Sequence, residues 1–146
     1  MNRRQARKEA FLLIFQAEFR REEPISSVLQ IAQDEREGEQ EYNDYVRTVY
    51  YGVWEHISEL DELICQNARG WKLSRLSRVS LALLRLATYE MLYVEDAPYH
   101  VAINEALELA KEYEEDKAVA FLNGVLNAIA QNKGLKELQK KPESEA

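Results

Sequence analysis

Apolar residues return at intervals of three and four through almost the whole chain, and that spacing restricts the backbone to helices. Tyr42, Tyr45, Val46, Val49, Tyr50, Val53, Ile57, Leu60 and Ile64 keep one stripe. Ala118, Phe121, Leu122, Val125, Leu126 and Ile129 keep another. Residues three and four apart share a helix face, whereas a half-buried strand alternates in steps of two. No strand pattern and no internal repeat survive. The expected fold is all-α, a single compact helical domain, because 146 residues make one domain by size.

Breakers divide the chain. A first helix is expected from about Arg3 to Arg20, closed by "REEP", and a second from Ile25 to Glu37, ended by Gly38. One long third helix follows the Tyr42–Ile64 stripe and closes at "NARGW". A fourth spans Ser77–Tyr93; "EDAP" is a loop, since a residue before proline is pushed out of helical geometry. A fifth runs Tyr99–Tyr113, "EEDK" is a polar break, and a sixth covers Ala118–Gln131 before Gly134 and a short last turn. Short connections favour antiparallel neighbours in a bundle. The domain is expected to span 1–138, with 139–146 a disordered tail ending in "KKPESEA". "FLLIF" is too short for a secretory core, no apolar run reaches membrane-spanning length, and Cys65 stands alone. A soluble cytoplasmic protein is expected.

Net charge is −7, unevenly placed. Residues 1–21 carry +4 and residues 68–87 carry +5, against −10 for 22–67 and −6 for 88–146. Two basic zones on an acidic background read either as a local anion-binding surface or as solvated helix faces. In the first zone, Arg4, Lys8, Phe11 and Phe15 fall on one row. Cations followed by aromatics suit single-stranded RNA, which offers phosphates and splayed bases; burial of Phe11 and Phe15 is the competing reading. In the second zone stand Arg69, Lys72, Arg75, Arg78 and Arg85, with Trp71 read as a packing anchor.

"FLNGVLNAI" carries a local conflict. Asn-Gly between apolar residues is a hairpin signal, yet the apolar spacing is helical. Glycine inside a helix costs up to about 1 kcal/mol relative to alanine. Ala120, Gly124 and Ala128 form a stripe of small side chains that lets a neighbour come close, either another helix of the domain or a docking partner. A helix that keeps glycine at that cost is expected to have a neighbour against it, so Gly124→Ala is expected to destabilise.

"PYHVAINEALELAKEY" followed by "FLNGVLN" resembles the signature of the NusB family of transcription antitermination factors. "LLRLATYEML" (83–92) is similar to another family helix, and "RRQARKEAF" to its arginine-bearing first helix. The likeness covers roughly residues 3–131. It implies about seven helices and a pairing with NusE, a small-subunit ribosomal protein. The pair would bind boxA-type single-stranded RNA within the RNA polymerase antitermination complex and support read-through, chiefly in ribosomal RNA operons. No catalysis, cofactor or metal is implied. The residues assigned to RNA on this basis are Arg3, Arg4, Arg7, Lys8, Phe15, Arg75, Arg78, Arg85, Phe121 and Asn123; Arg3, Arg4 and Arg7 are expected to be exposed. Tyr89, Glu90, Asn104, Glu105 and Glu108 are assigned to the protein partner, and a homodimer is also admitted. Leu12 and Phe15 stand where members often have Gln and Tyr, and Ser80, Leu81 and Ala120 also depart from the pattern.

Other classes find little support. Neither His56 nor His100 is next to Cys65 in sequence, and no metalloprotease, phosphate-loop, nucleophile-elbow or dinucleotide motif is present. The alternative kept open is a helical protein–protein scaffold without specific RNA binding.

Overall fold

The computed structural model describes residues 1–136; the domain end at 138 and the 139–146 tail lie outside the described residues. Within them the chain makes seven α-helices and one 3-10 turn: α1 Arg3–Glu18, α2 Ile25–Asp34, α3 Asp44–Glu55, α4 Ile57–Asn67, the turn Leu73–Arg75, α5 Arg78–Tyr93, α6 Tyr99–Tyr113 and α7 Asp116–Asn132. No helix among these residues is long and apolar enough to cross a membrane.

Local chemistry sets the starts. Asn2 caps α1 in a reciprocal box: its side chain accepts from the Gln5 amide, and the Gln5 side chain accepts from the Asn2 amide. Asn43 and Ser77 cap α3 and α5 by accepting from Val46 and Ser80 amides. Helix α7 begins two residues before the expected Ala118, with Asp116 in its first turn, where an acid suits the helix dipole. Helices α1 and α2 stop short of expectation, at Glu18 and Asp34.

The expected long third helix is two helices. His56 (φ −106°, ψ 19°) separates α3 from α4, and its ring Nδ1 bonds the Gly52 carbonyl at 2.9 Å. Gly52 is where Tyr89 of α5 presses in: a Cβ there would lie 2.2 Å from the ring. A single non-helical residue barely disturbs a three-and-four spacing, so the apolar stripe runs through the kink unbroken.

Helix α5 is the centre. It packs against α1, α3, α4, α6 and α7, and every residue from Ser80 to Met91 is buried. A helix buried on all sides must be mostly apolar. Arg85 and Glu90 are exceptions, and burial obliges each to find an opposite charge.

Candidate nucleic-acid interface

The first basic zone is already paired. Arg7 is 4% exposed and Glu90 is 1% exposed. The Arg7 guanidinium donates to both Glu90 oxygens at 2.8 and 3.1 Å, and Tyr45 donates its phenol to the same carboxylate at 2.6 Å. Burial alone would lower the Arg7 pKa; the hydrogen bonds to Glu90 and its charge outweigh that and raise it. Burial, followed by the Glu90 charge, holds the Tyr45 phenol well above its ordinary value. This cluster ties α1, α3 and α5 together. The expectation that Arg7 is exposed is therefore corrected: it stands on the buried face of α1.

The remaining α1 cations reach the surface with partners. Arg4 forks onto Glu105 at 3.1 and 3.2 Å, Lys8 meets Glu112 at 3.0 Å, and Arg3 meets Asp96 at 3.4 Å while lying over the Tyr45 ring. The hydrogen bond to Glu112 is the main reason the Lys8 ammonium is held above its usual pKa. Glu105 also touches Arg7 at 3.5 Å. Along the same row Phe11 is buried, whereas Phe15 is half-buried and stacks edge-on with exposed Phe19 at 5.1 Å.

The second zone divides in two. Arg85 is buried and belongs to the core: it forks onto Asp61 at 2.8 and 2.9 Å and donates to Glu18 at 2.7 Å. Solvation, the alternative for this zone, fails for Arg85. Arg69, Lys72, Arg75, Arg78 and Lys117 form no side-chain hydrogen bond or ion pair among the described residues. Two of them, Arg75 and Lys117, line a cleft with an aromatic pair, and Arg69 and Lys72 flank Trp71 in sequence. Trp71 is 51% exposed, and its ring lies 5.5 Å from Phe121 at a 59° tilt. A cleft of about 410 Å³ opens there, lined by Trp71, Arg75, Ser77, Glu114, Lys117 and Phe121 among others. Gly70, with φ +76°, turns the chain out of α4 to present Trp71. Trp71 does pack, on Phe121, and it also shows its other half to solvent. Lys117 was missed because it stands in "EEDK", where surrounding acids hide it in any count of charge.

The residues assigned to the protein partner scatter. Tyr89 and Glu90 are buried, Glu105 is half-buried, and Asn104 and Glu108 are exposed. Asn104 lines a shallow cleft of about 240 Å³ with Tyr99, His100, Ile103, Leu107, Asn123 and Asn127. Asn123, also exposed, accepts from the Asn127 amide at 2.8 Å. Ala120 and Gly124 are exposed, and a Cβ at Gly124 would meet nothing within 4 Å. Packing inside the domain therefore does not explain this glycine, and the expectation that Gly124→Ala destabilises is overturned.

Comparison with known proteins agrees along nearly the whole chain. A family model described as "NusB family" matches residues 4–131. "Transcription antitermination protein NusB" of Clostridium botulinum (strain Kyoto / Type A2) is 41% identical over 143 residues, covering 88% of this chain and 99% of the relative. Among solved structures, T. maritima NusB superposes with a TM-score of 0.80 at 38% identity, covering 94% of this chain and 98% of that one. A structure described as antitermination factors NusB and NusE in complex with dsRNA superposes at 0.77 with 26% identity, covering 90% and 99%.

Proposed function

Because the chain belongs to the NusB family, we propose that it is a transcription antitermination factor. It binds boxA-type single-stranded RNA together with NusE, and the assembly supports read-through by RNA polymerase, chiefly in ribosomal RNA operons. It works in the cytoplasm, by binding, without catalysis.

The observation that carries the reading is the cleft where the unpaired cations Arg75 and Lys117 stand beside Trp71 and Phe121. Bases stack on aromatic faces, and Arg75, Arg78 and Lys117 are free to meet phosphates. Arg3, Arg4, Lys8, Phe15 and Asn123 extend the surface, whereas Arg7 and Arg85 act through the buried framework that positions it. For NusE, the exposed Asn104 and Glu108 and the edge of Glu105 are the available contacts, with Tyr89 and Glu90 shaping that face from beneath. A scaffold that ignored RNA would have no use for a half-exposed tryptophan beside two unpaired cations.

The test is titration of a labelled boxA-type RNA at several salt concentrations, with and without NusE. Neutralising about four phosphates gives a slope of log K against log salt near −3. Binding is expected to be weak alone and tighter with NusE. A flat salt response, or no binding in either arm, would overturn the proposal.

A further inference from the structure

The two basic zones differ in what already occupies their charges. Across the α1–α6 cleft, about 420 Å³ in volume, the surface cations each face a carboxylate of α6. Arg4 meets Glu105, Lys8 meets Glu112 at 3.0 Å, and Lys111 meets Glu108 at 3.0 Å. Around Trp71 no cation is paired in this way among the described residues; the one carboxylate lining that cleft, Glu114, accepts from the Ser77 and Ser80 hydroxyls instead. A phosphate that approaches Lys8 must displace the Glu112 carboxylate. Breaking that pair offsets part of what the new phosphate contact gains.

We infer that Glu105 and Glu112 hold the basic edge of α1 closed to RNA phosphates and so limit the affinity of the RNA site, an inference that rests on the RNA reading above. RNA engages the Trp71 side first and gains α1 only by breaking these pairs. Glu112 is the better probe. Glu105 also touches buried Arg7, so its removal would disturb the framework, whereas Glu112 is exposed and its partner Lys8 is half-buried at the surface.

The experiment is a double-mutant cycle read by titration of the same labelled single-stranded RNA in the presence of NusE. Glu112→Gln is expected to raise affinity about two- to five-fold, the range of an exposed ion pair. It should also steepen the salt slope by up to ~0.7, one phosphate's worth for a single strand. In a Lys8→Ala background the same substitution is expected to change neither quantity. Equal gains in both backgrounds would mean that Glu112 acts only through its general negative field and would overturn the masking. Absence of RNA binding by the unaltered protein would instead overturn the reading beneath it, so the two failures are distinguishable.

Discussion

Two helical glycines should respond oppositely to the same added methyl group. Gly124 and Gly52 both lie inside helices, where alanine gains up to about 1 kcal/mol over glycine. At Gly124 the new Cβ meets nothing within 4 Å, so the whole gain is expected. For a chain of this size that corresponds to a rise of about 2–4 °C in Tm. At Gly52 the new Cβ would stand 2.2 Å from Cζ and Oη of Tyr89 and 2.5 Å from Cε2. That ring is buried and held between His56 and Tyr93, at centroid distances of 6.0 and 5.2 Å, so it has little room to retreat. Overpacking of this kind costs about 1–3 kcal/mol, and after the propensity gain a net loss of up to ~2 kcal/mol remains. Urea melts followed by circular dichroism, compared at equal m, separate the two variants. A destabilised Gly124→Ala, or a Gly52→Ala as stable as Gly124→Ala, would refute the reasoning.

Arg7→Ala should destabilise by about 3–5 kcal/mol, since it strands the buried Glu90 carboxylate without its cation; a melt equal to the parent protein's would contradict the buried framework. Alkali should act through Tyr45, whose phenol, buried beside Glu90, titrates above the ordinary value of 10.0. Below pH 10 folded and unfolded chains both keep that proton; above it the unfolded chain releases its proton first, and stability falls by about 1.4 kcal/mol per pH unit. Urea melts at rising pH check this, and Tyr45→Phe should remove that part of the slope.

Local signals were the legible ones. Helix α6 is legible at both ends because Pro98 pushes Ala97 out of helical geometry and the polar "EEDK" follows Tyr113. The His56 kink was hidden because it preserves the apolar spacing on both sides. Arg7 and Glu90 are 83 positions apart, so neither local charge nor periodicity announces that they meet. Arg85 likewise reads as part of a basic run until Asp61 and Glu18 arrive from other helices. Net charge by segment located the two basic zones. It could not distinguish a zone whose cations are already spoken for from one whose cations stand free, because that difference lies in the packing of α6 on α1. The small stripe at Gly124 was visible, but whether a neighbour fills the space beside it is a tertiary fact.

The platform around Trp71 is tested most directly by its own fluorescence during an RNA titration in the presence of NusE. The chain has two tryptophans, and Trp54 is buried, so quenching by a stacked base should come from half-exposed Trp71. Emission is expected to fall in step with binding, and Trp71→Ala is expected to weaken RNA affinity roughly tenfold or more, as loss of one stacked base does. Full-affinity binding by Trp71→Ala, with unchanged emission when the unaltered protein is saturated with RNA, would contradict the placement of RNA on this face.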